Sequence, residues 1–269
     1  MNNCYYFELY NYNDGILNTI VDATYIIHLV NNGRLNDIKK KINSIHTSNT
    51  LYIVYNKGFR NCKKKDYIIS SIYDIIDVNI EIFKHAKINN YNNILILEDD
   101  YIFSNAIKNK KNINIIEKFI KNKINFQYYL GCLPVIMYPL DFYNYKLIFG
   151  GTAHAVIYSK FNRELILNKN QYEMPDWDVN NVSSYPCYTF YKPLCYQTFP
   201  ITENQQNWKN IYNYYYYNCV YDIGIYCLKL LKLNIQPEPG FTIIYLFSKL
   251  LYLLFIIFII YLIYNNIKK

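Results

Sequence analysis

The last 29 residues constrain this chain more than any other part of it. Residues 241–264 read FTIIYLFSKLLYLLFIIFIIYLIY, interrupted only by Ser248 and Lys249. As a helix rising 1.5 Å per residue, the run reaches ~36 Å, enough to cross the hydrocarbon core of a bilayer. A helix apolar on every face rarely serves as core in a domain this small, so a single transmembrane helix is expected over a buried core helix. Lys249 costs about 3 kcal/mol if stranded mid-bilayer, but near one end of the span it snorkels to the headgroups. Pro237-Glu238-Pro239-Gly240 stops the structure before it. The expected organisation is an N-terminal extension (1–20), a folded domain (21–235), a Pro/Gly junction (236–240), the membrane helix (241–264) and a basic tail (265–269).

Charge excludes little else. The formal net charge is +8, and the final 29 residues contribute three Lys and no acid, which leaves 25 basic against 20 acidic residues elsewhere. The densest runs, Lys39-Lys40-Lys41 and Lys63-Lys64-Lys65, read as solvated faces, and no zinc-finger or basic-zipper pattern points to nucleic acid. The 7 cysteines form no C-x-x-C pair, so neither a structural zinc nor a compact disulfide framework is suggested; free thiols in a reducing compartment are expected. Residues 1–17 lack both a basic n-region and an apolar h-region, so no signal peptide is expected and the domain is placed in the cytosol. The sequon Asn181-Val182-Ser183 would then escape glycosylation.

Between residues 20 and 235, short apolar runs alternate with amphipathic stretches. Residues 24–30, 51–55, 67–70, 93–97, 127–130 and 153–158 read as strands, and 34–45, 78–88 and 112–124 as helices. This alternation predicts an α/β domain with a mostly parallel sheet and helices on both faces. Ligands in such folds bind beyond the carboxyl ends of the strands. Directly after Ile94-Leu95-Ile96-Leu97 come Glu98, Asp99 and Asp100. Three adjacent carboxylates at the mouth of a buried strand repel one another, and a hard divalent cation is a suitable counter-charge. Strand periodicity sends Glu98 and Asp100, the candidate metal ligands, to one side and Asp99, a candidate donor contact, to the other. The alternative is a solvated turn whose acids cap a following helix.

The segment 75–103, ending NNILILEDDYIF, resembles the acidic-motif region of family 25 glycosyltransferases, which include lipooligosaccharide and collagen galactosyltransferases. Further similarities follow in the family's order. Tyr25-Ile26-Ile27-His28-Leu29 with Arg34 resembles its opening strand and Arg-bearing turn. Tyr128-Tyr129-Leu130-Gly131 is similar to its aromatic-Leu-Gly strand, and residues 151–159 to its Gly-Thr…Ser strand. Pro175-Asp176-Trp177-Asp178 sits where the family has a Pro–Asp element, and Lys192-Pro193-Leu194-Cys195-Tyr196-Gln197 resembles its late Pro-Leu…Gln run. Together these cover residues 24 to about 208. His28 stands where the family usually has Asn, and the usual Ser-His pair is replaced around Val78-Asn79, so substrate identity does not carry over. The resemblance implies a GT-A-like, Rossmann-type fold, a UDP-sugar donor, Mn²⁺ or Mg²⁺, and inversion toward a glycan or protein acceptor.

Inversion needs a base remote from the metal acids. Asp176 and Asp178 are the candidates, with Asp176 favoured on motif placement, and Trp177 between them could stack on a sugar ring; the plainer reading is two polar loop residues around a packing Trp. His154, in an apolar strand, is either a hydrogen-bonded core residue or a phosphate contact, since Gly150-Gly151 lets backbone approach a ligand. Arg34, His28 and Gly151 complete the candidate nucleotide contacts, and the tyrosine cluster at 212–217 is a weaker candidate for an acceptor groove. The expectation is a membrane-anchored glycosyltransferase. Its rival is a catalytically degenerate transferase-like domain kept as a membrane scaffold or interaction module.

Overall fold

The computed structural model describes residues 4–174, 176–198 and 218–268. Along them run β1 (Tyr5–Asn11), β2 (Ala23–Leu29), α1 (Leu35–Ser44), β3 (Thr50–Asn56), α2 (Ser71–Ile88), β4 (Asn93–Leu97), β5 (Tyr101–Phe103), α3 (Lys110–Ile120), β6 (Gln127–Pro139), β7 (Asn144–Ser159), α4 (Lys160–Leu167), α5 (Trp177–Ser184), β8 (Cys187–Phe190), β9 (Cys195–Gln197), α6 (Asn218–Leu230) and α7 (Gly240–Ile267). Pro175 and the tyrosine cluster at 212–217 lie outside the described residues.

Seven strands form one sheet in the order β1-β3-β2-β4-β7-β6-β8, and β5 pairs with β9 in a separate ribbon. The sheet is mixed, which corrects the expectation of a mostly parallel one. β3, β2 and β4 are mutually parallel because α1 and α2 carry the chain back between them. β6 and β7 are joined by a tight turn at 140–143, closed by Leu140 N–H donating to Asn144 O (2.9 Å), so they must be antiparallel. β7 then pairs antiparallel with β4.

Helices cover both faces. One face of β2 and β4 sends Tyr25, Ile94 and Ile96 toward α2, α4 and α5, where Phe83, Ile166 and Trp177 pack. The other sends Ile26, Leu95 and Leu97 toward α1 and α3, against Ile38, Ile42, Ile113 and Ile116. Burial on both faces explains why β4 is apolar at successive positions rather than alternately. Residues 67–70 are not a strand, and α2 begins at Ser71, a full two turns before position 78.

The N-terminal stretch set apart in sequence supplies β1, which pairs antiparallel with β3 at the sheet edge. Cys4 is joined to Cys62 by a disulfide, which corrects the expectation of free thiols throughout; Cys132, Cys187 and Cys195 are free and buried. Neither basic run is simply a solvated face. Lys64 is buried and pairs with Asp74, and Lys41 donates to Asp99 O (2.9 Å). Asn181 of the sequon is fully buried, accepting from Gln127 Nε2 and donating to Trp177 O (both 2.8 Å).

α7 is 28 residues long, with a mean hydropathy of 2.6 over its most apolar stretch, long and apolar enough to cross a membrane. Its first turns belong to the domain. Phe241 and Tyr245 are buried, and the Tyr245 hydroxyl meets Thr189 Oγ1 at 2.9 Å. Lys249 turns back to donate to Tyr191 O (2.7 Å). From Leu250 onward most large side chains are exposed.

Candidate active site

β4 ends where Glu98 N–H donates to His154 O on β7 (3.0 Å), the last rung of that pairing. The chain then turns tightly, Tyr101 N–H donating to Glu98 O (3.2 Å), and enters β5. The three acids therefore sit on the β4–β5 turn at the carboxyl end of the central strand. The β5–β9 register sets Tyr101 opposite Gln197. That register brings the Gln197 amide to both outer acids: Nε2 donates to Glu98 Oε2 (2.9 Å) and lies 3.2 and 3.3 Å from the two Asp100 oxygens. β9 can come this close because residue 131 is glycine; a Cβ there would stand 1.8 Å from Cys195 O.

Asp99 faces the other way. Its carboxylate takes hydrogen bonds from Asn32 Nδ2 and Arg34, both on the turn after β2. His28, the penultimate residue of β2, is buried against Tyr55 with its Nδ1 unpartnered. Sequence position thus becomes a spatial division, with Glu98, Asp100 and Gln197 on one side and Asp99, Arg34, Asn32 and His28 on the other.

α5 brings a fourth acid. Asp178 accepts from the N–H groups of Thr152 (2.7 Å) and Ala153 (3.0 Å). Thr152 holds φ at +67°, an uncommon conformation for a β-branched residue, directly after Gly151, whose missing side chain faces open space. Asp176 instead accepts from Asp178 N–H (2.9 Å) at the start of α5, as a helix-capping residue does. Trp177 is buried between Phe83 and Tyr158, which removes it from sugar stacking. His154 is fully buried, its Nε2 3.3 Å from Cys195 O and its ring edge-on to Phe241 of α7. Its side chain is a core element, while its backbone carbonyl holds the acidic turn.

The electrostatics match this crowding. Burial, then Asp100, Asp178 and Asp99, pushes the Glu98 carboxyl well above the usual range, opposed by the Gln197 bond. Burial and then Asp99 raise Asp100 to about 7. Burial and then Asp176 raise Asp178 to about 7, against the two backbone N–H groups. Burial lowers His154 to about 4 and also lowers His28. Among the described residues no group of three or more His, Cys, Asp or Glu is placed to hold a metal ion by itself. Glu98 and Asp100 nonetheless suit a Mg²⁺-type ion, which takes one or two carboxylates and completes its shell with substrate phosphates and water.

Three residues around these acids escaped the sequence reading as site members. Gln197 stands only at the end of a similar run, Lys41 belongs to a run that reads as a solvated face, and nothing in the sequence marks Asn32. Their signals are weak because each acts through register or loop geometry.

The chain matches no protein-family model. No curated protein matches it either. Among solved structures it is similar to one described as "Crystal Structure of A197 from STIV", with 10% identity over 67% of this chain and 86% of that one, at a TM-score of 0.39. A likeness that loose carries no weight for fold or function.

Proposed function

We propose that the chain is a membrane-anchored glycosyltransferase of the family 25 type, with a GT-A-like domain that transfers sugar from a UDP-sugar to a glycan or protein acceptor. The observation that carries this reading is the split of the acidic turn. Glu98 and Asp100 share one amide and make no ion pair among the described residues, Lys41 and Arg34 only partly offsetting the burial of Asp100, whereas Asp99 is committed to Arg34 and Asn32. Two carboxylates held together, both with their affinity for a proton raised, are suited to exchange that proton for Mn²⁺ or Mg²⁺.

In this reading Glu98 and Asp100 hold the cation with the donor diphosphate, and Gln197 keeps the two carboxylates convergent. When bound, the metal stabilises negative charge on the leaving diphosphate. Arg34, aligned by Asp99, and His28 contact the nucleotide, and the open backbone at Gly151 admits the donor. Asp178 takes the proton from the acceptor hydroxyl; its pKa of about 7 lies near working pH, as a general base requires. Asp176, committed to α5, supports it. These roles favour Asp178 over the residue preferred on motif placement.

The test is binding of UDP and Mn²⁺ to the full chain in detergent, followed by a donor-sugar screen with and without metal. Metal-dependent UDP binding and UDP release from one donor are expected. A folded chain that binds neither would leave the degenerate scaffold as the better reading. The side of the membrane turns on Cys4 and Cys62, since disulfides persist chiefly in oxidising compartments. Non-reducing peptide mapping of protein taken from its native membrane decides this: a reduced pair supports the cytosolic placement, and a linked pair places the domain on the oxidising side.

A further inference from the structure

The outer end of the β6–β7 hairpin, which β8 holds along residues 144–147, carries a cluster of uncovered apolar side chains. Ile136, Leu140, Ile148 and Phe149 are each between 43% and 57% exposed, and Phe142 at the tip is 92% exposed. Such a cluster is unusual on a water-facing surface, where large apolar side chains are scattered singly. What covers it follows from its course beside α7. Cys132 Sγ of β6 lies 3.5 Å from the Tyr245 hydroxyl of α7, and six residues later Tyr138 stacks on Tyr252 (6.3 Å between ring centres). Strand and helix therefore advance in the same direction, and the turn at 140–143 lies farther along that course.

The same level carries the marks of a membrane boundary. Lys249 directs its ammonium back toward the domain, over the rings of Tyr145 (5.2 Å) and Tyr191 (5.5 Å). With Tyr138, Tyr143 and Tyr252 these rings form an aromatic belt of the kind found at headgroup depth. From Leu250 to Ile267 the helix continues for about 27 Å, close to the thickness of a hydrocarbon core. The one acid at the hairpin tip, Asp141, already accepts from the N–H groups of Tyr143 and Asn144 (both 2.7 Å) and from Asn144 Nδ2, so its oxygens are satisfied within the turn.

We infer that the β6–β7 hairpin tip enters the interfacial layer of the leaflet that α7 crosses, with lipid as its occupant. The domain is then fixed to the bilayer at two points, and its orientation is set. This rests on α7 being in the bilayer and is independent of the chemistry at the acidic turn.

The test uses the full chain reconstituted in phosphatidylcholine vesicles, with and without brominated lipid, and reads the tryptophan emission added over the native chain. Three variants suffice: Phe142→Trp at the tip, Phe258→Trp within α7, and Ile124→Trp, 76% exposed at the opposite end of β6. A tip seated about 5–10 Å into the headgroup and acyl boundary should lose about twofold of its added emission to brominated lipid. Phe258→Trp should be quenched at least as strongly, and Ile124→Trp should not change. Equal response of Phe142→Trp and Ile124→Trp would put the hairpin in water and overturn the inference. A blue-shifted Phe142→Trp emission that brominated lipid leaves unquenched would mean that protein, a second copy included, covers the tip, and would overturn it equally. An unquenched Phe258→Trp would remove the anchor itself and the hairpin's placement with it.

Discussion

Two clusters of buried and half-buried acids lie in this molecule, and they are neutralised differently. At the sheet edge, Asp74 and Asp77 are buried around Lys64, which pairs with Asp74, stands 4.0 Å from Asp77 and donates to Asn56 Oδ1 (2.8 Å), while the Tyr5 hydroxyl donates to Asp77. That cluster contains its own cation. At the β4–β5 turn, Glu98 and Asp100 receive one neutral amide, and Asp178 receives two backbone N–H groups. Lys41 donates to the Asp99 carbonyl and stands over the Tyr101 ring, and with Arg34 it only partly offsets the burial that raises Asp100. A self-neutralised cluster can hold a fold together. One left short of counter-charge, with Asp100 still raised to about 7, instead favours protons or an external cation, which is why the second is the candidate site.

The comparison breaks most sharply at Asp100. Asp100→Asn keeps shape and removes ligand charge, so turnover should fall on the order of 10² to 10⁴-fold while the fold survives. Steady-state kinetics and the thermal shift produced by Mn²⁺ with UDP check this, and wild-type values for both would remove the metal role from these acids. At the other cluster, Lys64→Met strands two buried carboxylates and should cost about 3–5 kcal/mol, lowering Tm by about 10 °C. Nucleotide affinity of the protein that remains folded should not move.

A pH series sharpens the difference. Because Asp100 has its pKa raised from 3.8 to about 7, the native state holds a proton that the unfolded chain has released between those values. Its contribution to stability therefore falls as pH rises through that window. His28, His85 and His154, lowered by burial, contribute the opposite slope below about pH 6.5, so the measured quantity is a difference. Without metal, the Tm of Asp100→Asn relative to wild type should climb from pH 4.5 to 7.5, and a flat difference would contradict the burial of a protonated acid. The smallest effect separates the two acids of α5. Asp176→Ala should cost about 1 kcal/mol of stability with turnover largely kept, as loss of a helix cap does. Asp178→Asn should retain UDP binding and lose turnover; the reverse pattern would restore Asp176 as the base.

How much of this was legible beforehand depended on range. β4 and the acids after it could be read because a run buried on both faces has no alternation, and carboxylates beside it have few other reasons to be there. The mixed sheet could not be read, since residues 127–130 and 153–158 look alike whether a helix or a hairpin joins them. The disulfide was equally hidden, because spacing alone does not set Cys4 beside Cys62. Gln197 lies 97 residues from Asp100, and only the β5–β9 register and the space left by Gly131 bring it there.

Sequence alone determined the apolar helix, the central strand and the division of Glu98-Asp99-Asp100 between two sides, because hydrophobic run length and side-chain alternation are local properties. Tertiary structure decided that α7 starts inside the domain, that Asp178 rather than Asp176 approaches the acidic turn, and that a lysine pairs with the carboxylates of one acid cluster but only with a backbone carbonyl of the other. Burial and charge pairing depend on which distant segments meet, and that is settled only when the chain has packed.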